Sequence, residues 1–70
     1  MKIYFNVEII DNYLKSNNLT KKHFCYLCDI SYTALKNIYL GKSKMRTTTI
    51  IKIINVLNVR LADFVNVCYN

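Results

Sequence analysis

Residues 28–44, CDISYTALKNIYLGKSK, contain the signals for a short helix with well-defined ends. Ser31, a favoured N-cap residue type, precedes the run. The apolar residues recur at helical spacing, at Ala34, Leu35 and Ile38. The run stops at Gly41, the only glycine of the chain, which can take the left-handed conformation that commonly ends a helix. This stretch therefore predicts a helix over residues 31–40, with Lys-Ser-Lys directly beyond its C-terminal end.

Positive charge is concentrated around this helix. The chain has a net charge of +6, and residues 21–46 hold six cations against the single acid Asp29, a net +5. The six are Lys21, Lys22, Lys36, Lys42, Lys44 and Arg46. A concentrated cationic region is what binding to a polyanion requires. The alternative is a coding bias towards lysine, but such a bias would not spare the two ends of the chain.

Length and composition indicate one globular domain over residues 1–70, because 53% of the residues are hydrophobic and 20% are charged. No apolar run approaches the roughly 18 residues needed to cross a bilayer. The first residues, MKIYFNVEIIDNYL, are too polar for a signal peptide, so we expect a cytoplasmic protein. Three cysteines, an odd number, favour free thiols over disulfides.

Four further helices are predicted. The first follows Asn6 as its N-cap and stops at residues 16–18. The second follows Thr20 and spans 21–28, with its inward face formed by Phe24, Cys25 and Cys28.

The second half of the chain predicts a helix over 47–58 and a last helix around 60–67. The first of these is rich in isoleucine, so we expect it to be the most buried. The last would bury Leu61, Phe64 and Val65. The two ends are compatible with a two-stranded ribbon that joins the termini, and equally with helical or frayed ends.

Two short helices joined by a turn of three or four residues form a helix-turn-helix, whose second helix enters the major groove of DNA. The segments LTKKHFCYLCDIS, YTALKNIYLGKSK and IIKIINVLNVRLADF resemble the Cro/phage-repressor (XRE-type) helix-turn-helix family. The resemblance covers about residues 7–65 and implies an all-α, five-helix lambda-repressor-like domain.

The chain departs from the family pattern at several positions. Asp29 stands where the turn usually has glycine, and Arg60 stands where a serine cap is common. Met45 occupies a frequent proline position. Leu14 and Tyr39 occupy the places where some members pair an arginine with a glutamate, so we predict an apolar contact there.

The resemblance also implies the residues that contact DNA. Base-edge contacts are expected from Tyr32, Thr33, Lys36 and Asn37. Phosphate contacts are expected from Thr20, Lys21, Lys42, Lys44 and Arg46. The chemistry agrees, because lysine can donate to guanine, asparagine can bridge adenine, and tyrosine or threonine can touch a thymine methyl. The alternative is that the four base-contact candidates form an ordinary solvated face.

The predicted function is a transcriptional regulator, expected to be a repressor, that binds double-stranded DNA at a palindromic operator as a homodimer. The dimer interface is expected at Leu61, Val65, Val67, Cys68 and Tyr69. A second hypothesis is a small protein-interaction module on the same scaffold, such as an antitoxin or a phage-encoded inhibitor. An acidic protein partner would also suit the 21–46 cations.

A zinc site is the main alternative use of Cys25 and Cys28, which share a helix face. His23 and Cys68 are the imaginable further ligands, but a structural zinc site needs four ligands at suitable spacing. Core packing is the better interpretation, because cysteine behaves as a small apolar residue.

With four acids, no paired carboxylates and no glycine-rich loop, we expect no enzyme activity. No metal, cofactor or small-molecule ligand is expected either.

Overall fold

In the computed structural model, the described part of the chain has five helices between two short terminal strands. The structure describes the backbone of residues 2–41 and 45–68, and the side chains of 3–41 and 45–66. The elements in chain order are β1 (Lys2–Phe5), α1 (Val7–Asn17), α2 (Lys21–Cys28), α3 (Tyr32–Tyr39), α4 (Thr47–Leu57), α5 (Leu61–Phe64) and β2 (Val65–Cys68). The predicted fold, an all-α five-helix domain with short extended ends, is confirmed.

The ends of α2 and α3 follow the predicted capping chemistry. The hydroxyl oxygens of Thr20 and Ser31 each accept a backbone N–H bond of 3.1 Å, from His23 and Ala34 respectively. Gly41 has a φ of +76°, the left-handed conformation expected after α3.

Asn6 is the N-cap residue of α1, as predicted, but its side chain makes no capping hydrogen bond. Its backbone N–H instead donates to the carbonyl of Phe64 at 2.8 Å. The residue links β1 to α1 beside the end of α5, and its own carbonyl accepts from the Ile9 N–H at 3.2 Å at the start of α1.

A single cluster of apolar side chains fills the space between the helices. It comprises Ile10, Phe24, Cys25, Cys28, Leu35, Ile38, Ile53, Leu57 and Phe64. Helix α2 supplies three buried residues from eight, whereas α4 supplies two from eleven. The prediction that the isoleucine-rich helix would be the most buried is therefore wrong. Ile51, which lies off the inward stripe of α4, remains 46% exposed.

The two ends of the chain form an antiparallel ribbon, one of the two possibilities that the sequence left open. Lys2 pairs with Cys68 and Phe5 with Val65. The Phe5 ring lies 5.6 Å from that of Phe64, so the ribbon is anchored to the buried core.

The last helix is shorter than predicted, because the backbone becomes extended at Val65. Only Phe64 of this single turn is buried. Leu61, which we expected to be buried, is 53% exposed, since one helical turn directs few side chains inward. Arg60, in the usual serine position, makes no side-chain cap, and its Nε donates to Asp63 Oδ2 at 3.1 Å instead.

Asp29 makes the turn between α2 and α3 with a left-handed φ of 57°. Its N–H donates to the Tyr26 carbonyl at 3.2 Å, and the N–H of Ile30 donates to the Cys25 carbonyl at 3.0 Å. Lys52 Nζ of α4 donates to the Asp29 carbonyl at 3.2 Å. The first two bonds satisfy the Cys25 and Tyr26 carbonyls of α2. The turn nevertheless holds an L-residue in a conformation that costs it about 1 kcal/mol.

Asp29→Gly is expected to raise the free energy of unfolding by about 0.5–1 kcal/mol, because glycine adopts a positive φ without strain. The lost contact between the Asp29 carboxylate and Lys52, 3.5 Å apart and largely exposed, contributes little. Asp29→Ala is the control, and it should lower stability because alanine retains the Cβ and loses the polar group. Urea denaturation of both variants would contradict this account if glycine were no more stable than alanine.

Candidate nucleic-acid interface

Helix α3 presents a polar face because its apolar residues are held inward. Leu35 and Ile38 are buried, and Ala34 is half-buried. The base-contact candidates lie away from these positions. Tyr32, Thr33 and Lys36 are exposed and Asn37 is half-buried. Since residues four apart are neighbours on a helix, they form two parallel rows, Tyr32 with Lys36 and Thr33 with Asn37.

A groove of about 310 Å³ lies between the N-terminal ends of α3 and α4. It is lined by Ser31, Thr33, Ala34, Asn37, Met45, Arg46 and Thr49. Three predicted contact residues, Thr33, Asn37 and Arg46, therefore meet at one place. Met45 and Thr49 were not predicted. The run of three threonines at the start of α4 was the sequence feature that could have indicated a polar groove residue at Thr49.

The N-terminal end of α2 gathers further donors. The Thr20 hydroxyl oxygen caps the helix, which leaves its O–H free to donate elsewhere. Lys21, Lys22 and His23 are exposed there. The first-turn N–H groups and the helix dipole favour an anion at this end. The predicted phosphate contacts Lys42 and Lys44 lie outside the described residues.

Tyr39 connects this end of α2 with α1 and α3. Its hydroxyl donates to Asp11 Oδ1 at 2.6 Å, and Lys21 Nζ lies 4.2 Å from the centroid of its ring. Burial, and then the hydrogen bond to Asp11 and the charge of that carboxylate, raise the pKa of Tyr39, so the hydroxyl stays protonated and donates.

The predicted partner of Tyr39 was Leu14. Both residues pack against the core cluster. The hydrogen bond from the Tyr39 hydroxyl was not predicted, although a tyrosine at a position that holds glutamate in some members of the family the sequence resembles was a signal for a polar link.

Asp29 is the single acid of the 21–46 region, and its carboxylate faces a cation from outside that region. Lys52 Nζ lies 3.5 Å from Asp29 Oδ2. The Asp29 carboxylate is therefore paired with a lysine of α4 and not with a cation of α2 or α3.

Cys25 and Cys28 are buried in the core, as predicted. Burial raises the pKa of both thiols, and that of Cys28 reaches about 12, with the neighbouring Cys25 as the second cause. Thiols with raised pKa values stay protonated and unreactive at neutral pH, as is usual for buried core cysteines. Among the side chains that the structure describes, those of residues 3–41 and 45–66, no three histidine, cysteine or acidic groups form a cluster suited to a metal ion. The side chain of Cys68 lies outside them.

The structure describes the side chains of only two of the five predicted dimer-interface residues, Leu61 and Val65. Leu61 is exposed, whereas Val65 is half-buried and packs against the core. The backbone of Val67 and Cys68 belongs to β2, but their side chains lie outside the described ones, as does all of Tyr69.

None of the described helices is long and apolar enough to span a membrane.

Comparison with known families agrees with this geometry. Residues 10–67 match the family model of the Cro/C1-type HTH DNA-binding domain. No curated protein and no solved structure matches the chain significantly. The family match spans well over half of the chain and includes the whole of α2, the turn at Asp29 and α3. The protein therefore belongs to the Cro/C1-type HTH DNA-binding domain family.

Proposed function

We propose that the protein is a sequence-specific transcriptional regulator that binds double-stranded DNA through α3 and represses transcription by occupying its operator. The observation that supports this most strongly is the two-sided character of α3. Its buried Leu35 and Ile38 fix the helix, and its opposite face offers hydrogen-bonding side chains to a partner. No catalytic or cofactor-dependent step is part of the proposal.

Base recognition would come from the two rows on α3. The major groove is about 12 Å wide and admits one helix, and its base edges carry a distinct pattern of donors and acceptors. Lys36 would donate to guanine O6 or N7, and Asn37 would bond adenine N6 and N7. Tyr32 and Thr33 would contact thymine methyl groups.

Phosphate contacts would flank α3 on both sides. Thr20 and Lys21 lie at the start of α2, and Arg46 lies beside the groove at the start of α4. Lys42 and Lys44 complete the set proposed from the sequence. Such contacts fix the orientation of a protein on the duplex without reading its sequence.

We further propose a homodimer on a palindrome, because one small domain reads few base pairs and two half-sites about 34 Å apart would double the recognised sequence. Support comes from exposed Leu61 and from the ribbon. Its sheet, as far as the chain is described, has two strands, so each has an outer edge available for pairing. Sedimentation at micromolar concentration, with and without DNA, would contradict the dimer if only monomer were found.

The test of the function is fluorescence anisotropy with a duplex from the upstream region of the gene and a scrambled duplex, at several salt concentrations. We expect the upstream duplex to bind at least roughly 10³-fold more tightly. Affinity for both duplexes should fall linearly on a logarithmic salt scale. Equal and weak binding of the two duplexes would contradict sequence-specific regulation.

A protein partner is the second candidate, and one observation favours it. Tyr26 is 78% exposed on the outer face of α2, and the adjoining Leu27 is also exposed. Exposed aromatic residues are enriched where proteins bind one another. Two results together would support this candidate over the first. The chain would form a complex with a protein that persists at high salt, and it would bind the upstream and scrambled duplexes equally.

A further inference from the structure

Three helices meet at the side chain of Tyr39. This half-buried residue ends α3, donates its hydroxyl proton to Asp11 of α1, and lies under the ammonium of Lys21, the first residue of α2. The hydroxyl–carboxylate bond is 2.6 Å long, and the Lys21 Nζ to ring-centroid distance is 4.2 Å. One side chain therefore connects the end of the base-reading helix with the lysine proposed to contact phosphate.

The two contacts differ in what they restrain. A short hydrogen bond to a charged acceptor is strong and directional, so Asp11 holds the orientation of the Tyr39 ring. The ring face is electron-rich and attracts a cation within about 6 Å of its centroid. Lys21 has a flexible stem and would otherwise sample many rotamers.

The ammonium can satisfy the ring and a phosphate together. Lysine has three N–H donors, and one side of the ammonium against the ring leaves donors directed away from it. A side chain that is already ordered loses less entropy when it binds.

We infer that Tyr39 is a positioning residue for DNA binding, which holds Lys21 ready for a phosphate, and that Asp11 orients Tyr39. This inference rests on the proposed function. Because Tyr39 is the last residue of α3, it also sets the phosphate contact at a defined place relative to the base-reading helix. The register of the protein on its operator then depends on a side chain that touches neither bases nor phosphates.

The test is a double-mutant cycle with Tyr39→Leu and Lys21→Ala, measured as affinity for the upstream duplex across salt concentrations. Lys21→Ala should reduce the magnitude of the logarithmic salt slope by about 1. Tyr39→Leu should weaken binding roughly two- to fivefold when Lys21 is present. It should have almost no further effect when Lys21→Ala is already made. Tyr39→Phe keeps the ring but removes the hydrogen bond to Asp11, so its coupling with Lys21 should fall between that of tyrosine and that of leucine.

Lys22→Ala is the matched control, because it removes the same charge from the neighbouring exposed position of α2. The changes in binding free energy caused by Lys22→Ala and by Tyr39→Leu should be additive. Denaturation curves of every variant, recorded in the assay buffer, establish that each is folded. A purely structural role for Tyr39 would weaken binding equally with and without Lys21.

An independent readout needs no DNA. The ε-methylene protons of Lys21 should show an upfield ring-current shift in the NMR spectrum, which Tyr39→Leu removes and Tyr39→Phe weakens. Absence of that shift in the unmodified protein, or additive effects in the cycle, would overturn the inference and leave the proposed function standing. Failure of the unmodified protein to bind DNA would overturn both.

Discussion

Phe24→Ala is expected to lower the free energy of unfolding by about 3–5 kcal/mol, as large aromatic-to-alanine changes in a core do. Phe24 is 0% exposed, and its ring packs edge-on against Tyr13 with centroids 5.7 Å apart. It belongs to α2, the helix with the most buried residues for its length. A domain of this length has a total stability of roughly 3–10 kcal/mol, so this loss would remove about a third of the stability or more. Urea denaturation followed by circular dichroism measures the change.

Tyr26→Ala is the control for Phe24→Ala, since it removes an aromatic ring of similar size from the same helix. Tyr26 is 78% exposed, so stability should change by no more than about 0.5 kcal/mol. Similar losses for the two variants would show that α2 does not pack as described.

Lys36→Ala/Asn37→Ala is expected to remove about 2–6 kcal/mol of discrimination between the upstream and scrambled duplexes. Each good contact to a base edge contributes about 1–3 kcal/mol to choosing the right base. Weak, salt-sensitive binding should persist, because the contacts proposed for Thr20, Lys21 and Arg46 do not depend on sequence. Anisotropy titrations with both duplexes measure the loss.

Asn12→Ala/Lys15→Ala is the matched control for this double variant. Both residues are exposed on α1, outside the proposed interface, and the pair has the same residue types and the same charge. Discrimination should be unchanged in this control. Base reading by α3 would be contradicted if the two double variants lost equal discrimination between the duplexes, or if Lys36→Ala/Asn37→Ala lost none.

Features that depend on neighbouring residues were predictable from the sequence. The caps at Thr20 and Ser31 and the left-handed Gly41 appear where the sequence predicts them. Asp29 takes the left-handed conformation at the position where the family pattern usually has glycine. Their chemistry is local, since a hydroxyl three residues before an N–H, or a residue that tolerates a positive φ, decides the end of a helix.

Features that depend on distant residues were not predictable. The Asn6 N–H bonds the Phe64 carbonyl, which no local pattern anticipates. Tyr39 and Asp11 are 28 positions apart in the chain. The side-chain pattern of α4 indicates which residues are apolar, but the packing of its neighbours decides that Ile51 stays exposed. The same holds for the groove, whose two walls come from different helices.

NMR titration of isotope-labelled protein with the upstream duplex tests most directly whether α3 is the surface that binds DNA. The account predicts the largest backbone amide shifts at Thr33, Lys36 and Asn37, and next at the start of α2. The amides of Asn12 and Lys15 on α1 should stay nearly unchanged. Shifts confined to the ribbon and α5, with α3 unaffected at saturating duplex, would contradict it.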